Sequence, residues 1–277
     1  MQAMKFTKMH GLGNDFVVIH TKEFPTEASR LAERMCDRHF GVGADGIVFI
    51  LPAEEGDCAM RIINADGSEA EQCGNAVRCV ARYYYERIAS ASQTELTIET
   101  LAGMQRVWLE ADGSKVRVDM GRPGLEGAAI PTTVKADRVV EYPLKSGERT
   151  FRFTGVSMGN PHAVIFVEDA ARFPVEAWGP HLEHHPLFPH RTNVEFVTAH
   201  SPTELVMRVW ERGVGQTFAC GTGACASVVA GVLTGRTQRK ATVRLRGGDL
   251  QIEWREVDDR VYMTGPASFV YEGLWLD

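Results

Sequence analysis

The chain of 277 residues reads twice, and this repetition constrains its fold more than any single motif does. Gly13-Asn14-Asp15-Phe16-Val17-Val18-Ile19 returns as Gly159-Asn160-Pro161-His162-Ala163-Val164-Ile165. Met60-Arg61-Ile62-Ile63-Asn64 returns as Met207-Arg208-Val209-Trp210-Glu211, and Cys73-Gly74-Asn75-Ala76 as Cys220-Gly221-Thr222-Gly223-Ala224. Gly103 with Gly248, and Gly121 with Gly265, keep nearly the same step of about 146 residues. One such match is chance, whereas five in order indicate two copies of one structural unit. The expected division is 1–121 plus 267–277 for the first unit and 122–266 for the second. The apolar, aromatic segment Ala267–Leu276 follows the last strand of the second copy, from where it can cross back and pair with the first.

Within each copy, β-branched or alternating runs predict strands. They are Gly46–Ile50, Met60–Asn64, Glu95–Thr100, Gln105–Glu110 and Lys115–Met120, then Asn193–Val197, Glu204–Glu211, Ala241–Leu245, Asp249–Trp254 and Arg260–Thr264. Ala111-Asp112-Gly113 and Gly247-Gly248-Asp249 supply turns. Each copy has one clear helical stripe: Val77, Val80, Ala81, Tyr84 and Ile88 in the first, Cys225, Val228, Val229, Val232 and Leu233 in the second. The second helix, Ala224–Leu233, has almost no polar face and is expected to be buried, with its strands wrapped around it.

A hydrophobic share of 44%, a charged share of 24% and a net charge of -6 are those of a globular protein with no nucleic-acid or membrane-surface partner. No apolar run is long enough to span a bilayer, and Met1-Gln2-Ala3-Met4-Lys5-Phe6 lacks the apolar core of a secretory signal, so the expected location is the cytoplasm. In that reducing setting the six cysteines are expected to be thiols, and their spacings are not those of zinc fingers. Cys36, Cys58, Cys79 and Cys225 read as small core residues, as do Trp108, Trp210 and Trp254.

Cys73 and Cys220 differ from the other four. Each stands in Gly-rich polar surroundings just before a helix, where unpaired amides and the helix dipole are expected to lower a thiol's pKa and to attract a carboxylate. Two such thiols in pseudo-symmetric units are expected to flank one cleft, where one removes a proton from a carbon and the other returns one to the opposite face.

Met9-His10-Gly11-Leu12-Gly13-Asn14-Asp15-Phe16, Asn64-Ala65-Asp66-Gly67-Ser68, Cys73-Gly74-Asn75, Ser157-Met158-Gly159-Asn160-Pro161-His162, Glu211-Arg212-Gly213 and Ala219-Cys220-Gly221-Thr222-Gly223 resemble the diaminopimelate epimerase family over nearly the whole chain. The resemblance implies an α/β (α+β) fold of two epimerase-like units, each a β-barrel-like sheet around a central helix, with the active site in the cleft between them. It implies interconversion of LL- and meso-2,6-diaminopimelate in lysine and peptidoglycan precursor biosynthesis. No cofactor or metal is implied, and a homodimer is. Cys73 and Cys220 would be the acid–base pair, with His162 and Glu211 tuning them. Gly74, Asn75, Gly221 and Thr222 would bind the carboxylate at the reacting centre. Asn14, Asn64, Asn160, Asn193, Glu211 and Arg212 would hold the remaining groups. One departure is Gly46, where some relatives carry a side-chain amide. Asn14 and Asn64 also suit plain turn capping.

Three other readings stay open on the sequence: a racemase of proline or histidine type on the same fold, a cysteine hydrolase or amidotransferase using one thiol as nucleophile, and a metal or redox sensor.

Overall fold

The computed structural model describes residues 3–71, 73–89, 93–110 and 113–276. Along the chain come β1 (Met4–Gly11), β2 (Asn14–His20), α1 (Ala28–Met35), β3 (Gly46–Leu51), β4 (Cys58–Asn64), β5 (Glu69–Ala70), α2 (Gly74–Arg87), β6 (Glu95–Thr100), β7 (Gly103–Leu109) and β8 (Lys115–Asp119). Then follow β9 (Tyr142–Ser146), β10 (Arg149–Ser157), β11 (Pro161–Phe166), α3 (Val175–Glu183), β12 (Asn193–Ser201), β13 (Glu204–Glu211), β14 (Gly215–Gln216), α4 (Gly221–Leu233), β15 (Lys240–Leu245), β16 (Gly248–Trp254), β17 (Val261–Pro266) and β18 (Ser268–Trp275). The chain divides into one unit of Met1–Asp119 with Thr264–Asp277 and another of Met120–Met263.

Both units follow one mixed α+β scheme. The opening hairpin is antiparallel, β1–β2 in one and β10–β11 in the other. The next strand joins in parallel (β2–β3 and β11–β12), which requires a crossover, and α1 and α3 supply it. An antiparallel pair follows, then a second parallel step across the long helix, β4–β6 and β13–β15, and a closing hairpin. β9 lies antiparallel beside β10, and β18 beside β1 from Met4↔Trp275 to His10↔Ser268. The return of the C-terminal segment to the first copy is therefore made by ladder hydrogen bonds.

The long helices sit against their own strands. α2 packs on β1–β4 and β6–β8, and α4 on β10–β13, β15 and β16. Every residue of α4 from Gly223 to Gly231 is buried, as its apolar composition requires. α2 buries Asn75–Ala81, including an Arg78 with no exposed surface. The short helices were not legible as periodic stripes. α1 buries only Ala28, Ala32 and Met35, and α3 carries Gly179 and Pro180 in its middle.

Cys36, Cys58, Cys79 and Cys225 are buried, and burial pushes the first three thiols up to about 12, which leaves them inert. Trp254 is buried, and half-buried Trp210 packs against the core of the second unit. Of the turn Ala111-Asp112-Gly113, the first two residues lie outside the described residues, and Gly113 has φ +66°. No helix among the described residues is long and apolar enough to cross a membrane.

Candidate active site

In the first unit the site begins at the mouth of α2. Cys73 is the residue before the helix, in extended backbone (φ -148°, ψ 116°), and its side chain does not cap the amides. The helix ladder opens with Val77 N–H to the Cys73 carbonyl at 2.9 Å, so the amides of Gly74, Asn75 and Ala76 precede it. Cys73 Sγ lies 3.6 Å from Asn14 Oδ1, which also accepts from Asn75 Nδ2 at 3.1 Å. Asn14 is aimed by its other end, because Nδ2 donates to Asp45 Oδ2 at 2.7 Å. It follows a tight hairpin turn in which Leu12 and Gly13 both have positive φ, 57° and 87°.

Asn75 is aimed in turn by buried Arg78, which donates to its Oδ1 at 2.7 Å and to the Gly74 carbonyl at 3.1 Å. Behind Asn14 stands a charged brace: Lys8 to Asp15 at 2.6 Å, and Arg38 to both Asp15 and Asp45 at 2.8 Å. Burial opposes ionisation of Asp15, but the bonds from Arg38 and Lys8 hold its carboxyl below the usual range. Asn64 bonds across its own turn. Its Nδ2 donates to Ser68 Oγ at 3.0 Å and its backbone N–H to the Ser68 carbonyl at 2.8 Å, which is the turn-capping arrangement. At Gly46, any Cβ would stand 2.7 Å from the Ile63 carbonyl, so this backbone leaves no room there for a side-chain amide.

The second unit repeats the plan with more ionisable groups. Cys220 precedes α4 in extended backbone (φ -126°, ψ 111°), and the ladder opens with Ala224 N–H to its carbonyl at 3.0 Å. Its Sγ is 3.5 Å from Thr222 Oγ1, which accepts from Asn160 Nδ2 at 3.3 Å. Asn160 Oδ1 is 2.9 Å from His162 Nε2, and His162 Nδ1 is 2.6 Å from Glu195 Oε1. Glu211 takes a hydrogen bond from the Thr217 hydroxyl. Burial pushes the Glu211 carboxyl up, offset in part by hydrogen bonds from Thr217 and Cys220.

Burial, then the charges of Glu211 and Glu195, push the Cys220 thiol well above the ordinary value. For Cys220 this runs against the expectation that the helix start lowers the thiol's pKa. The Thr222 hydroxyl and the Gly223 amide do favour the anion, but desolvation and two carboxylates outweigh them.

Asn193, the first residue of β12, braces the backbone on both sides of it. Its Nδ2 donates to the Pro161 carbonyl at 2.8 Å, and its Oδ1 accepts from the Arg212 backbone N–H at 2.9 Å. The guanidinium of exposed Arg212 reaches the His190 carbonyl at 3.4 Å. Among the predicted residues the structure thus gathers Asn14, Cys73, Gly74 and Asn75 in one group. In another it gathers Asn160, His162, Glu211, Cys220, Gly221 and Thr222. Asn64 ends β4, Asn193 opens β12, and Arg212 lies in the turn after β13. Sequence reasoning missed Lys8, Asp15, Arg38, Asp45, Arg78 and Glu195. Asp45, inside the Gly-rich run 41–46, was the one with a visible signal.

The family model described as diaminopimelate epimerase matches residues 6–126 and 154–270. The diaminopimelate epimerase of Desulfitobacterium hafniense is 54% identical over 281 residues, covering 99% of each chain. That of Moorella thermoacetica is 55% identical over 275 residues, covering 98% of each. Among solved structures, a Bacillus anthracis phenazine biosynthesis protein of the PhzF family superposes with a TM-score of 0.71 at 15% identity, covering 100% of both chains. A hydroxyproline epimerase from Agrobacterium vitis gives 0.71 at 16% identity, covering 99% of this chain and 91% of that one. These two share the fold.

Proposed function

The chain belongs to the diaminopimelate epimerase family, and from that premise we propose that it interconverts LL- and meso-2,6-diaminopimelate with Cys73 and Cys220 as the two acid–base groups. The observation that carries the mechanism is the duplicated helix start: each sulfur precedes a first turn of unladdered amides and touches a polar side chain, Asn14 or Thr222. One sulfur, as thiolate, takes the α-proton from one face of the substrate carbon, and the other, as thiol, delivers its proton to the opposite face. The two exchange roles in the reverse direction, and no cofactor enters.

In this reading the amides at Gly74, Asn75, Gly221 and Thr222 receive the α-carboxylate, whose charge suits a helix N-terminus. Asn14 and Asn160 take the groups beside it, while Asn64, Asn193 and Arg212 shape the part that meets the distal amino and carboxylate groups. Glu211 and His162 set the protonation of Cys220. The enzyme works in the cytoplasm as a homodimer built from two epimerase-like units per chain, with no nucleic-acid or membrane partner.

The test is solvent-deuterium incorporation at the α-carbon, with diaminopimelate, proline and histidine offered to the wild type and to Cys73→Ser and Cys220→Ser. The expected result is turnover of diaminopimelate by the wild type and a loss on the order of 10² to 10⁴ in either variant. A preference for proline would reject the substrate. Full activity after loss of one cysteine would reject the two-base mechanism.

A further inference from the structure

Glu195 has no part in the reading above, yet it lies inside the second half-site. It comes from β12, where parallel pairing sets His162 beside Asn193 and brings the Glu195 carboxyl back to the imidazole at 2.6 Å. Both side chains are wholly buried, and Oε2 has no hydrogen-bond partner among the described residues. The carboxyl occupies space that only a glycine leaves open, since a Cβ on Gly223, in the first turn of α4, would stand 2.7 Å from Glu195 Oε1 and 3.3 Å from Cys220 Sγ.

The hydrogen bonds from here have a direction. Asn160 Nδ2 donates to Thr222, which leaves its Oδ1 to accept from His162 Nε2–H. With that proton committed, a hydrogen bond from Nδ1 to an ionised Glu195 requires a second one. A buried carboxylate needs a cationic partner, and His162 is its ion-pair neighbour. Thr222 accepts from Asn160, so its own hydroxyl proton is available to the Cys220 sulfur. Every donor then points outward from one imidazolium, toward the carboxylate on one side and toward sulfur on the other.

We propose that Glu195 is a positioning residue for the epimerisation: it holds His162 doubly protonated and so orients the chain His162–Asn160–Thr222 to donate to Cys220 when that sulfur is the thiolate. The inference rests on the two-base reading. The titratable groups linked to His162 among the described residues are Glu195 on β12 and Glu211 on β13, with Cys220, just before α4, at the far end of the hydrogen-bond chain. The paired stretch of β10, Phe153–Ser157, contributes none.

The experiment is nitrogen-resolved NMR of the histidine rings at pH 7 in the full-length, substrate-free protein, as wild type and Glu195→Gln, with His162 assigned from a His162→Asn variant. The expected result is a His162 ring protonated on both nitrogens in the wild type and on one in Glu195→Gln. With diaminopimelate, Glu195→Gln should lose kcat on the order of 10²-fold while KM stays near wild type. A wild-type His162 with one bare nitrogen overturns the proposal even if the variant fails to fold. So does a Glu195→Gln enzyme with full kcat. Failure of the substrate assignment reads out separately, as a wild type inert toward diaminopimelate whose ring protonation is still measured.

Discussion

Cys220 shows how a residue's neighbours can reverse what its place in a helix suggests. The dipole and first-turn amides of α4 favour a thiolate, while burial and the carboxylates of Glu211 and Glu195 favour the thiol. The resting enzyme therefore holds Cys220 as an acid. A carboxylate beside a thiol disfavours the thiolate, so neutralising Glu211 should lower the pH at which Cys220 ionises. Ultraviolet thiolate absorbance in a Cys73→Ser background should rise only above the usual thiol range, and Glu211→Gln should move that rise to lower pH. A rise centred near neutral pH before the Glu211 change would contradict the site as described. The thiols themselves were legible because they repeat in sequence. Glu195 was not, since it meets His162 from 33 positions away, and Asp45 was marked only by the glycines around it, since it meets Asn14 from 31. Parallel strand register, not local spacing, makes those meetings.

At the scale of elements, strands with β-branched runs and the two long helices were readable, and the short helices were not. α3 shows why: its form is decided by what it packs on. Gly179 lies against the Trp210 ring so closely that a Cβ would overlap it, and Trp210 Nε1 donates to Glu183 Oε2, at the end of the same helix, at 2.7 Å. Propensity alone favours alanine at a mid-helix glycine by up to ~1 kcal/mol. Overpacking costs about 1–3 kcal/mol, so Gly179→Ala should lower the melting temperature. It should also lower kcat, because Trp210 directly precedes Glu211. A raised melting temperature would mean that Trp210 gives way freely.

For the whole molecule, the repeat was the most informative property of the sequence, because each copy reproduces the same order of strands and helices. What the repeat does not contain is the exchange of edges: β9 beside β10 follows locally, whereas β1 takes its neighbour β18 from the far end of the chain. Trp275 packs into the first unit's core, and Gly273 leaves room for Phe6, whose Cζ would lie 2.6 Å from a Cβ there. A chain ending at Pro266 should lose hydrogen-exchange protection throughout β1 while β12 and β13 keep theirs. Undiminished protection in β1 would show that β18 is dispensable.

That arrangement also governs the order in which a newly made polypeptide can mature. When β1 leaves the ribosome, its outer backbone edge has no mate, and none arrives until Met120–Met263 has been synthesised. The later half can close on itself first, so the earliest-born half is the last to be finished.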